Sequence, residues 1–119
     1  MKILIAEDDM LSQFLMERYM RKLGWEHTMV ANGRLAVKAC TSDDYDAILM
    51  DIDMPLLNGI EATKQIRKGN KVIPIIAISA IADHDKMEKC TEAGMNTYIE
   101  LPTSHEIIRD VIARCLAKN

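Results

Sequence analysis

Aromatic side chains are scarce in this chain: one Trp, three Tyr and one Phe make up 4% of 119 residues. The core must therefore be built from Ile, Leu, Val, Ala and the nine Met. Cysteine is also sparse. Cys40, Cys90 and Cys115 are odd in number and far apart, without C-x-x-C spacing. That excludes a disulfide framework or a zinc site and points to buried thiols in a reducing compartment. The net charge of −3 carries no overall basic footprint, so direct nucleic-acid binding is not expected. No apolar run approaches the roughly 18 residues that would suggest a bilayer span. The N-terminus enters a strand-like segment without a cleavable signal pattern, so the cytoplasm is the expected address.

What is present is a regular alternation. The 49% apolar residues can fill a core and the 28% charged residues can cover it. A chain of 119 residues suits one domain, residues 1–119, with no linker, repeat or low-complexity tract to divide it. A short apolar run at residues 2–6 stops at Glu7, Asp8 and Asp9. Leu11, Leu15, Tyr19 and Leu23 then recur every four residues, which predicts a helix with these side chains on one face. Gly24 supplies its stop.

A weaker strand is predicted at 26–31, with Asn32-Gly33 as a turn, and a short helix follows through Leu35, Ala36, Ala39 and Cys40. Residues 47–50 are apolar throughout, as a strand covered on both faces must be, and they run into Asp51. Asn58, with Glu61 three residues on, reads as the N-cap of a helix ending near Gly69. Residues 72–78 are rich in β-branched side chains and predict another buried strand. Asp83 caps a fourth helix that closes at Gly94, and a brief strand at 97–100 precedes Pro102. Thr103 and Glu106 form a capping-box pattern before the apolar face Ile108, Val111, Ile112, Cys115 and Leu116. Five strands alternating with five helices define an α/β domain with a parallel sheet.

Ligand sites in open parallel sheets form at the C-terminal ends of strands. Here those ends carry Glu7-Asp8-Asp9, Asp51 and Ser79. If the first and third strands are neighbours, Glu7, Asp8 and Asp51 converge. Three crowded carboxylates repel one another unless a cation intervenes. Mg²⁺ suits a site of a few carboxylates, waters and phosphate oxygens, and it neutralises charge during phosphoryl transfer. A Ser79 hydroxyl could donate to a phosphoryl oxygen. Each piece has a plainer reading as well. Acids after a strand often cap the next helix, and Asp9 fits that role.

The pattern Asp51-x-x-Met54-Pro55-x-x-x-Gly59 is harder to produce by chance. With 3–9, 48–59, 74–80 and 94–102, it resembles the receiver domain of bacterial response regulators and hybrid histidine kinases. The resemblance implies a flavodoxin-like (βα)5 three-layer sandwich with strand order 2-1-3-4-5. It also implies two-component phosphorelay signalling. Asp51 would accept a phosphoryl group from a phosphohistidine on a histidine kinase or histidine phosphotransfer domain. Mg²⁺ would be held by Glu7, Asp8, Asp51 and the backbone carbonyl of Asp53. Ser79 would contact the phosphoryl group, and Tyr98 falls at the family's switch-aromatic position. Output would pass to an effector protein through helix four, strand five and helix five, from a monomer or weak homodimer. Such a domain is a phosphoacceptor that promotes its own phosphorylation and dephosphorylation, not a turnover enzyme.

One position departs from the family. Leu101 stands where receivers carry a Lys before the proline after strand five. A unit charge at about 4 Å is worth roughly 4 kcal/mol gross at an effective dielectric near 20. Without it, Mg²⁺ should matter more, and Lys71 or His84 are candidate replacement cations. Leu101 also supports a second reading, a pseudo-receiver that binds partners without phosphate. A third is enzymatic: Asp51-x-Asp53 resembles the nucleophile and general acid of haloacid-dehalogenase-type phosphatases, although their downstream acidic pair and cap domain are missing. A flavodoxin-type cofactor role is disfavoured, because Glu7, Asp8 and Asp9 would repel a flavin phosphate.

Overall fold

The computed structural model describes residues 1–69 and 72–118. Five strands form one parallel sheet: β1 (Lys2–Ala6), β2 (Glu26–Val30), β3 (Ala47–Asp51), β4 (Ile75–Ser79) and β5 (Thr97–Glu100). Five helices connect and follow them: α1 (Met10–Leu23), α2 (Gly33–Ser42), α3 (Gly59–Gly69), α4 (His84–Ala93) and α5 (His105–Ala117). The order across the sheet is β2-β1-β3-β4-β5, as the resemblance implied. Chain direction across the sheet therefore reverses beside β1, which opens a crevice above β1 and β3.

The central strands are apolar on both faces because both faces are covered. Their alternation divides the core in two. Leu4, Ala6, Ile48, Met50, Ile75 and Ala77 pack on one side against Ala36, Ala62, Ile66 and Cys90 of α2, α3 and α4. Ile3, Ile5, Leu49, Ile76 and Ile78 pack on the other against Met16, Met20, Ile108 and Ile112 of α1 and α5. Each fully buried Ile or Leu contributes about 1.5–3 kcal/mol relative to exposure, so the strand ends are rigidly placed. Register does the rest. Ala6 pairs with Met50 and Asp51 with Ile78, so Glu7 follows β1 level with Asp51, and Ser79 ends the next strand.

Several local expectations are corrected. A four-residue spacing drifts by about 40° per step on a 3.6-residue helix, so Leu11 to Leu23 sweeps about 120°. Leu11 is accordingly exposed and Leu15 borderline, while Met16 and Met20 form the buried face of α1. Asn32 and Gly33 make no separate turn. Asn32 N-caps α2 by accepting from the Leu35 amide at 2.9 Å, and Gly33 is the first helical residue. β2 accordingly ends one residue early, at Val30. β4 begins at Ile75 instead of at residue 72: Pro74 has no N–H to give the ladder, and Val72 is 73% exposed. The cap of α5 is Ser104, not Thr103. The Ser104 hydroxyl accepts from the Ile107 amide at 3.2 Å, while the Thr103 carbonyl accepts from Tyr19 Oη at 3.0 Å. Among the described residues no helix is long and apolar enough to cross a membrane.

Candidate metal and phosphoryl site

Glu7, Asp8 and Asp51 do converge. Each offers a carboxylate oxygen, and these oxygens lie within 4.8 Å of one another. Glu7 is almost fully buried. Its amide donates to the Val30 carbonyl at 3.0 Å, its carboxylate accepts from the Asp9 amide at 3.1 Å, and its carbonyl accepts from Gln13 Nε2 at 2.6 Å. The Glu7 backbone is thus held by Val30 and Gln13, and its side chain by the Asp9 amide. Asp9 is the α1 N-cap, accepting from the Ser12 amide at 2.9 Å, so it serves the helix, as the plainer reading of that acid held.

The electrostatics follow from this crowding. Burial, then Glu7, then Asp8 push the Asp51 carboxyl up to about 8. Burial likewise raises Glu7, which shares its neighbourhood with Asp51. Such a pair holds a proton between its members until a cation replaces it. The donor set of hard carboxylate oxygens in an open cleft suits a hard divalent ion with several waters. The residues present therefore fit Mg²⁺ by chemistry as well as by spacing.

Ser79 is 5% exposed and lines the same cleft. Its hydroxyl donates to the Ile81 carbonyl at 2.6 Å and accepts from the Ile81 amide at 3.2 Å. The proton a phosphoryl group would need is therefore already engaged with the β4–α4 loop. Leu101 lines the cleft too and brings no charge. Tyr98 lies apart, 47% exposed on β5, beside a groove of about 490 Å³ lined also by Val111 and Arg114 of α5.

Of the candidate replacement cations, His84 does not enter the cleft. His84 points outward, with a 92% exposed side chain 3.8 Å from Glu88, and Lys71 lies outside the described residues. A cation missed by sequence reasoning does: Lys86 of α4 lines the cleft with Glu7, Asp8 and Asp51, its Nζ 3.1 Å from Asp53 Oδ2. The available signal was its place in the first turn of α4, where a positive charge opposes the helix dipole.

A doubly wound sheet with an acidic, metal-fitting cleft at its switch point defines a class of phosphate-handling signalling domains, and comparisons with known proteins narrow it. Residues 3–113 match the response regulator receiver domain family, and the chain belongs to that family. It is 35% identical to "Two-component response regulator 24" of Arabidopsis thaliana, over 83% of this chain and 72% of that protein. It is 39% identical to "Hybrid signal transduction histidine kinase G" of Dictyostelium discoideum, over 96% of this chain but only 4% of that protein. Among solved structures, it is similar to the receiver domain of a sensor histidine kinase from Pseudomonas aeruginosa, with a TM-score of 0.91 and 37% identity. That match covers 98% of this chain and 97% of the other, and the Pseudomonas structure has a magnesium ion coordinated in its active site cleft. The strand order, the five-helix arrangement and the two-component family are therefore those the motifs implied.

Proposed function

We propose that this receiver domain accepts a phosphoryl group on Asp51 from a phosphohistidine donor and relays it as a change in partner binding. The observation that carries the reading is the meeting of Glu7, Asp8 and Asp51 within 4.8 Å at the ends of two adjacent strands. Mg²⁺, held by those three carboxylates and by the backbone carbonyl of Asp53, would supply charge neutralisation for the phosphoryl oxygens. An Asp51 carboxylate oxygen attacks phosphorus, the donor's N–P bond breaks, and the imidazole nitrogen leaves to take up a proton. Glu7, buried and held by Asp9 and Gln13, would present its carboxylate to the metal beside Asp51. Ser79 would exchange its bond to the Ile81 carbonyl for one to a phosphoryl oxygen, pulling on the β4–α4 loop.

The partner side would be a histidine kinase or a histidine phosphotransfer domain. The output side would be α4, β5 and α5, where Tyr98 and Ile107 expose 47% and 49% of their surfaces. On this reading the exposed Tyr98 ring would turn inward as that face rearranges. Treatment with a small phosphodonor and Mg²⁺, followed by intact-mass measurement, tests the reading. Wild type should gain one acid-labile phosphoryl group that Asp51→Asn lacks. An unmodified wild type would overturn it.

Leu101 favours a second reading, the phosphate-independent interaction module. Its side chain faces both the cleft and an apolar hollow formed by Leu15, Met16, Tyr19 and Pro102. On that reading partner affinity is the same for wild type and Asp51→Asn, with or without phosphodonor. The phosphatase reading is weaker, because the carboxylate it needs as general acid, Asp53, is paired with Lys86.

A further inference from the structure

Among the described residues lining the acidic cleft, Lys86 is the one cation, set against Glu7, Asp8, Asp9, Asp51 and Asp53. Its situation is costly on general grounds. It occupies the third position of α4, after the cap Asp83 and residues His84 and Asp85, where the positive end of the helix dipole disfavours a cation. Its side chain is three-quarters covered, at 25% exposure, whereas its partner Asp53 is 79% exposed. An ion pair with so exposed a carboxylate is worth little by itself. A Lys required only for solubility would turn to solvent. This one is folded over the cleft.

We propose that Lys86 is a phosphoryl-binding residue: it rests on Asp53 and transfers to a phosphoryl oxygen once Asp51 is modified. It thereby supplies, from α4, the positive charge that Leu101 does not supply from the residue after β5. The four-carbon stem lets the ammonium change partner without moving the helix backbone. Because the cation is carried by α4 itself, the phosphoryl group and the helix become directly linked. The link to the output face is then made through α4 as well as through Ser79. This inference rests on the phosphoacceptor reading and specifies which side chain reads the product.

The test uses the full chain with Mg²⁺ and beryllium trifluoride, an anion that binds a carboxylate as a phosphoryl mimic. Affinity is measured for wild type, Lys86→Met, and Lys86→Met combined with Leu101→Lys, with melting temperature followed in parallel. Losing a charge-assisted hydrogen bond should weaken mimic binding by roughly tenfold to a hundredfold in Lys86→Met. The unliganded melting temperature should change little, and the added Lys at 101 should restore most of the affinity. Wild-type affinity in Lys86→Met would overturn this inference alone. Wild type failing to bind the mimic or accept phosphate would overturn both this and the reading beneath it. A Lys86→Met that melts well below wild type, and binds weakly even after Leu101→Lys, assigns Lys86 a structural role and overturns the inference too.

Discussion

The α-carbon of Gly59 stands directly against the carbonyl of Asp51: a β-carbon added there would fall well inside 3.0 Å of that oxygen. The Gly59 amide donates to the Ile52 carbonyl at 2.8 Å, so the start of α3 is fastened to the strand end that carries the acceptor. This accounts for the glycine eight residues after Asp51 in the motif. Gly59→Ala should force the strand end and the helix apart, at about 1–3 kcal/mol in urea unfolding. Mg²⁺ affinity should fall with it. Gly69→Ala is the contrast, because among the described residues nothing lies within 4 Å of its added carbon. That variant should be neutral or stabilising by about 0.4–1 kcal/mol. Equal destabilisation by both would show that the close approach at Gly59 is not what matters.

Crowded carboxylates also give the metal-free protein a pH dependence whose sign can be worked out. Asp51 is raised to about 8, and Glu7 is raised as well, each by burial first. Between the ordinary carboxylate range and pH 8 the folded state therefore holds more protons than the unfolded chain. Stability must then fall as pH rises through that window. It is fully present below the unfolded carboxylate pKa and lost by the time Asp51 ionises. Thermal melts in a chelator should show melting temperature declining from pH 5 to pH 8. Added Mg²⁺ should raise it most at the alkaline end. Asp51→Asn should melt higher than wild type without metal and respond much less to Mg²⁺. A metal-free melting temperature that rises with pH across this range would contradict the shared-proton account.

How much of this was legible beforehand depends on the range of the interactions. The central strands β1, β3 and β4 are short apolar runs ending in polar residues, and the caps Asp9, Asn58 and Asp83 act within three residues; local pattern exposes both. Glu7 and Asp51 could be paired only on the assumption that β1 and β3 are neighbours, which the register supplies. Lys86 was hidden because its partner Asp53 lies 33 residues away on another loop. The faces of α1 were misjudged because an exact four-residue spacing does not follow a 3.6-residue helix. Nothing local distinguishes Met16 and Met20 as the buried pair.

Arg67 is a second long-range feature that pattern did not reveal. Its guanidinium donates to the Gly94 carbonyl at 2.9 Å, the Ile73 carbonyl at 2.6 Å and Asn96 Oδ1 at 2.9 Å. The same Asn96 oxygen accepts from the Ile75 amide at 2.9 Å. One planar fork thus ties α3 to the end of α4 and the entry of β4. Arg67→Met should cost about 2–3 kcal/mol, since three bonds from a charged donor are lost and the Gly94 and Ile73 carbonyls lose their guanidinium partner. Arg67→Lys should recover only part of this, because an ammonium cannot span all three acceptors. Hydrogen exchange should accelerate at Ile75 and around Gly94 while α1 stays protected. Full recovery by Lys would reduce the clasp to a simple charge effect.

Leu56 adopts the left-handed backbone region, with φ of 66°, although it is not glycine. The turn is tight: the Leu57 amide donates to the Pro55 carbonyl at 2.7 Å across it. That turn delivers the Leu57 carbonyl to the Gly33 amide, 3.0 Å away, fixing the loop after Asp51 to the start of α2. The Leu56 side chain is 70% exposed, so it gains little burial in return. A non-glycine residue in this region costs about 1–2 kcal/mol, and glycine gives back about 0.5–1 kcal/mol through its larger unfolded-state freedom. Leu56→Gly should therefore stabilise the fold by roughly 0.5–1 kcal/mol, and Leu56→Val, stiffer at the β-carbon, should destabilise it by a similar amount. Urea titrations with unchanged slopes would read both. If glycine instead lowers stability and valine does not, the turn is held by the Leu56 side chain and backbone strain has no part in it.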